Sequence, residues 1–216
     1  ATAEDQLRQR VGFALHHIFM ASQADSNLWK HSRAYARYLD VLNQHAFGNF
    51  RSLLDEMALS PVMGIYLSHM RNRKEDPATG RLPDENFARE LMQLFTIGLH
   101  ELEPDGTPRL DARGQPIETY GNADVMALAK VFTGWSWAFP DNQLTDNRFR
   151  WGNPDYSAAG DTGIDLLKMR AYPGQHSQAE VVLFAGKPQA VVIPGSATPE
   201  RRLQLALDAL FLHPNV

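Results

Sequence analysis

Apolar residues recur at three- and four-residue spacing through the first two-thirds of this chain, a period that α-helix satisfies and strand does not. Leu7, Val11, Ala14, Leu15, Ile18 and Phe19 form such a stripe. Phe13 and Met20 fall on its opposite side, which predicts a first helix apolar on two faces and therefore central. A second helix is expected from about Asn27 to Gln44, and a third from Phe50 to Leu59 behind an Asn49 cap. Ser60-Pro61 pairs an N-cap with proline at the first helical position, so a fourth helix should run from Val62 to about Arg71. Asp84 can cap a fifth, with Phe87, Leu91, Leu94 and Phe95 on its face and Gly98 at its end. Asn122 can cap a sixth through Val125, Leu128, Ala129 and Phe132, closed by Gly134. Thr198-Pro199 opens a seventh with Leu203, Ala206, Leu207, Leu210 and Phe211 on one side, halted by Pro214.

The intervening text is different. Asp105-Gly106 and Arg113-Gly114 mark turns of a hairpin or irregular excursion. Residues 135–175 read as a long loop rich in aromatics, and 180–194 as a two-stranded hairpin turning near Gly186. The expected fold class is mainly α: an irregular helical bundle of about seven helices with one or two small β-hairpins and long loops. With no internal repeat or low-complexity linker, residues 1–216 are expected to form a single helical domain.

Twenty-one Lys and Arg against 25 Asp and Glu leave a net charge of -4. That disfavours a general nucleic-acid or anionic-membrane surface. No apolar run approaches the roughly 20 residues of a membrane-spanning helix. The absence of cysteine removes disulfides, thiol nucleophiles and thiolate metal sites together.

Residues 76–106, from DPATGRLP through NFARELMQLFTIG, and residues 120–135, YGNADVMALAKVFTGW, together resemble the signature of the bacterial family called domain of unknown function 1800. Residues 7–19 and 45–67 resemble it too, as do His176, Glu180, the Gly186 turn and the terminal LFLHPNV. The resemblance implies an exported, helix-rich protein, periplasmic or extracellular, of which this chain is an internal portion. It implies no accepted catalytic set. Two positions depart from the family pattern: Gly121 stands where a Thr or Ser is usual, which leaves capping to Asn122, and Glu180-Val181 replaces a Glu-Lys pair.

Glu90 is the most informative position for chemistry. At about 100° per residue it falls on the edge of the arc holding Phe87, Leu91, Leu94 and Ile97. A carboxylate there is either paired, locking helices together, or raised in pKa towards general acid work. Asn86, one turn earlier, could share its ligand, whereas Arg89 points away and finds Glu85 at i−4. On the second helix His31, Tyr35, Tyr38, Leu42 and His45 form one stripe. Imidazoles and phenols on one face can hold a ligand, a metal or a carboxylate, or simply be satisfied core groups. Glu90, Asn86 and His45 are the candidate catalytic groups.

Trp135, Trp137, Phe139, Phe149, Trp151 and Tyr156 crowd the long loop. Such rings suit sugar or polymer binding, or anchor the loop to the body. Trp135, Trp137, Trp151, Tyr35 and Tyr38 are the candidate binding residues. There is no His-Glu-x-x-His pair, no Asp-rich calcium loop, no Gly-x-Ser-x-Gly elbow and no glycine-rich phosphate cradle. No metal and no cofactor are therefore expected. The chain is either a binding or scaffold module at the cell surface, docking an envelope protein, a secreted protein, a polysaccharide or the remainder of its own chain, or a hydrolase or lyase acting on an envelope polymer through Glu90. A His/Glu metal protein is the weaker third possibility.

Overall fold

The computed structural model describes residues 4–151 and 163–216, the side chain of Trp151 excepted. The described chain is mainly helical, with eight α-helices and two small antiparallel two-stranded sheets. It gathers into two compact units, each made of two separate stretches: Ala1–Asn72 with Gly134–Gln175, and Arg73–Thr133 with His176–Val216.

The first unit holds α1 (Gln6–Ile18), α2 (Ser32–Gln44), α3 (Phe50–Ala58), α4 (Pro61–Tyr66) and, in its second stretch, α7 (Asp146–Trp151). The side chain of Asn49 caps α3 by accepting from the Ser52 N–H at 3.1 Å. Pro61 opens α4 as expected, but the helix stops at Tyr66, and Ser68 and Arg71 adopt left-handed backbone (φ 62° and 66°).

Helix α1 is not central to its unit, contrary to the expectation from its two apolar faces. Only Gly12 of the helix is buried. A Cβ at Gly12 would lie 2.0 Å from Asn43 Oδ1, so the side of α1 that packs on α2 is the one lacking a side chain. Arg8 extends that contact by donating to the Asn43 carbonyl at 2.9 Å, and Leu7, Phe13 and Ile18 are left exposed.

The aromatic stretch is more structured than a loop. Strands β1 (Trp135–Ser136) and β2 (Arg170–Ala171) pair antiparallel. The Ser136 hydroxyl donates to the Phe149 carbonyl at 2.9 Å, and the Met169 N–H donates to the Leu59 carbonyl at 2.7 Å. Trp135, Trp137, Phe139 and Phe149 are all core residues of this unit.

The second unit holds α5 (Asn86–Glu90), α6 (Asn122–Val131), α8 (Pro199–Phe211) and the hairpin of β3 (Val181–Leu183) with β4 (Val191–Ile193). The hairpin lies where the sequence places it. Helix α5 departs from expectation, because it continues as a π-helical turn over Leu91–Phe95. A π turn carries about one more residue per turn than α, so the side chains after it rotate. Phe87, Leu91 and Phe95 remain buried while Leu94, expected on the same face, is 60% exposed. Capping of α6 also differs: Gly121 is the N-cap, and the Asp124 carboxylate accepts from its N–H at 2.9 Å, leaving Asn122 as the first helical residue. Thr198 caps α8, accepting from the Arg201 N–H at 3.3 Å.

Candidate functional site

Glu90 closes α5, half-buried, and among the described residues its carboxylate takes no hydrogen bond or ion pair. Its charge is felt by Tyr120, whose hydroxyl is pushed up mainly by burial, with Arg89 opposing and Glu90 and Glu118 adding. Arg89 pairs with Glu85 at 3.8 Å, as its spacing predicts. Asn86 is exposed, its N–H donating to the Asp84 carboxylate at 2.9 Å. His45 is the C-cap of α2 and belongs to the first unit, whereas Glu90 and Asn86 belong to the second.

The His/Tyr stripe is the inner side of α2. Tyr38 is buried and its hydroxyl donates to the Phe19 carbonyl; burial pushes the phenol far up. Tyr35 lies 3.0 Å from both His16 Nε2 and the Ala21 carbonyl, in a polar knot that ties α1 to α2. Trp135 and Trp137 are 2% and 6% exposed. Tyr172 holds that region by donating to the Trp137 carbonyl at 2.8 Å, its own hydroxyl pushed up to about 12 by burial. Rings so enclosed offer no face to a ligand as they stand, and anchoring accounts for them. The side chain of Trp151, and Tyr156 with its neighbours, lie outside the described residues.

His31, at the head of the same stripe, sits elsewhere. It lines a recess of about 400 Å³ in the first unit together with Ser26, Asn27, Lys30, Ser68 and Arg71. The lining contains three side chains that are or can become cationic and no carboxylate. Among the described residues, neither Lys30 nor Arg71 pairs with an acidic side chain: Lys30 lies over the Trp29 ring, and Arg71 donates to the Arg150 carbonyl at 3.1 Å. His31 is the N-cap of α2 and its side chain takes none of the helix's free N–H groups, so the positive end of the helix adds to the same field.

Two residues that line the recess, Ser68 and Arg71, sit on strained backbone. Left-handed conformation at a residue with a Cβ costs on the order of 1–3 kcal/mol and persists only where surroundings enforce it. Here the Arg71 N–H donates to the Trp135 carbonyl at 2.8 Å and the Met70 N–H to the Gly64 carbonyl at 2.9 Å. Burial lowers the pKa of Arg71, but a guanidinium stays protonated in proteins, so the half-covered charge remains and is less screened than one in open water. Burial is also the largest influence on His31, which is lowered; Arg71 and Lys30 lower it further and Asp165, itself paired with Arg33 at 2.7 Å, opposes them. Near neutral pH the recess thus presents two cations and an imidazole whose uptake of a proton from solvent an incoming anion would favour.

Sequence reasoning missed this recess. Lys30 and His31 precede a helix and Arg71 follows another some 40 positions later, and only the left-handed turn after α4 brings them together. No periodicity announces such a turn.

A second polar cluster lies in the other unit, wholly inside it. Arg202 on α8 is 0% exposed and donates to the Pro194 and Ala179 carbonyls at 3.0 and 2.8 Å. Ser177 donates to Glu75 at 2.8 Å, its N–H donates to Thr133 Oγ1 at 2.8 Å, and His176 Nδ1 donates to the Thr133 carbonyl at 2.6 Å. Glu75 Oε2, His176 Nε2 and Arg202 Nε are buried and have no partner among the described residues. Ser177 addresses Glu75 rather than His176, so no serine–histidine pair forms. The cluster joins four segments of the unit and has the character of a lock. Among the described residues, no three His, Asp or Glu side chains are grouped to hold a metal ion, and no helix is long and apolar enough to cross a membrane.

Comparison with known proteins returns a family and nothing closer. The sequence model of a family described as "Protein of unknown function (DUF1800)" matches residues 1–216. No curated protein and no solved structure matches the chain.

Proposed function

The chain belongs to the DUF1800 family, and on that footing we propose that it is a binding module holding an anionic group in the recess of Lys30, His31 and Arg71. The single observation that carries this is a pair of cations, Lys30 and Arg71, that among the described residues have no carboxylate partner, gathered with hydroxyl and amide donors around a cavity that no described acidic residue lines. Cations that pair with no carboxylate among the described residues are available to someone else's. We place the partner among acidic polymers or proteins outside the cytoplasm, the setting the family resemblance implies. Glu90 as an acid–base catalyst has one observation in its favour, a half-buried carboxylate with no ion-paired cation among the described residues. Glu90 has neither Asn86 nor His45 as a hydrogen-bonded partner among the described residues, whereas the recess gathers several donors, so binding is the reading adopted.

Replacing Arg71 by asparagine tests the site with little risk to the fold. Asparagine tolerates left-handed backbone, so the turn survives while the guanidinium is lost. A charge-assisted hydrogen bond contributes about 1.5–3 kcal/mol, so binding of inorganic phosphate at low ionic strength should weaken at least about tenfold by calorimetry. Equal affinity of the variant and the parent chain would refute the assignment.

A further inference from the structure

The turn that supplies Ser26, Asn27 and Lys30 to the recess also carries an exposed indole, Trp29, whose ring the Lys30 ammonium approaches. Trp29 is 62% exposed, yet its backbone is well placed: the backbone N–H donates to the Asp25 carbonyl at 3.2 Å, and the residue before it, Leu28, is wholly buried. The Asp25 carboxylate accepts from the Asn27 N–H at 2.8 Å and shapes the same turn. An anchored turn that presents a large flat ring to solvent is a stacking platform. The Lys30 ammonium lies 5.4 Å from the centre of that ring and also lines the recess.

Resting on the anion-binding reading above, we infer that the recess with Trp29 is a subsite for an acidic sugar, whose carboxylate enters between Lys30 and Arg71 while the sugar's C–H face stacks on Trp29. The spacing selects this class. A carboxylate borne by the stacked ring itself reaches a cation as close to the indole as Lys30 is. A nucleotide places a whole ribose between its base and its phosphate, and an acidic peptide has no flat face beside its carboxylate. Ser26 and Asn27, on the same turn, supply the hydroxyl and amide partners that ring hydroxyls need.

The test titrates a galacturonate trisaccharide, its methyl ester, inorganic phosphate and adenosine monophosphate into the parent chain, Trp29→Ala and Arg71→Asn, each first shown by circular dichroism to melt as the parent does. The trisaccharide should bind and its methyl ester should not. Trp29→Ala should weaken the trisaccharide about three- to tenfold, the range of an aromatic stacking contribution, and leave phosphate unchanged. Arg71→Asn should weaken both. If Trp29→Ala changes neither ligand, or if the nucleotide binds more tightly than the trisaccharide, the sugar assignment is overturned while the anion site stands. If the parent chain binds neither phosphate nor trisaccharide, both fall together.

Discussion

Arg202→Met should lower the unfolding free energy by about 3–5 kcal/mol, the range for breaking a buried ionic network by removing one partner. Methionine approximates the side chain's length and apolar stem but cannot donate. The Pro194 and Ala179 carbonyls, which Arg202 serves at 3.0 and 2.8 Å, would each lose a buried donor, at about 1–3 kcal/mol apiece. Glu75, whose charge acts on Arg202, would lose that compensation. Adding Glu75→Gln removes that uncompensated charge, so the double variant should be more stable than the sum of the two single losses predicts. Urea unfolding measures all four chains. A parent-like midpoint for Arg202→Met would show that the cluster holds nothing together.

Acid should destabilise the fold early, and the histidines are why. His69 is wholly buried, its Nε2–H donating to the Ala58 carbonyl at 2.9 Å, and burial lowers its pKa to about 4. Burial is likewise the largest influence lowering His176 and His213. A folded pKa below the unfolded value of about 6.5 means that the unfolded chain takes up the proton first. The stability from keeping each imidazole neutral is therefore complete above the unfolded value and drains as pH falls towards the folded one. For His69 alone the loss reaches roughly 3 kcal/mol by pH 4. His69→Gln keeps an N–H donor for Ala58 and cannot titrate, so it should flatten the slope between pH 6 and 4.5 by about 1.4 kcal/mol per unit. Parallel pH profiles for the two chains would contradict this.

What the sequence made legible was whatever local chemistry writes. The Asn49 and Thr198 caps, the proline starts of α4 and α8, the Gly98 stop and the 181–193 hairpin are decided by a few adjacent residues, and they stand where they were expected. The π turn after Glu90 was not readable, because it depends on how the Leu91 and Phe95 side chains pack, and it carried Leu94 out of its expected face. The close approach at Gly12 was equally hidden: two apolar faces suggested a central helix, while a missing side chain decided which side was covered. Grouping the chain into two units was illegible for a related reason, since each unit is assembled from stretches separated by more than 40 residues.

The candidate site divided along the same line. Composition and periodicity could nominate Glu90, the Tyr/His stripe and the tryptophans, residues conspicuous by type or place. They could not say that Trp135 and Trp137 would be buried by a pairing of β1 with β2, or that His31 would turn from the stripe into a basic recess. Trp29 and Lys30 had no pattern to mark them. Their significance lies in exposure and in a cation left without a carboxylate, both properties of the folded chain.

The most direct test is the amide spectrum of the isotopically labelled chain during titration with inorganic phosphate at low ionic strength. The account predicts saturable shifts centred on Lys30, His31, Ser68 and Arg71. Shifts scattered evenly over lysines and arginines elsewhere, with none at the turn of Ser68 and Arg71, would contradict it.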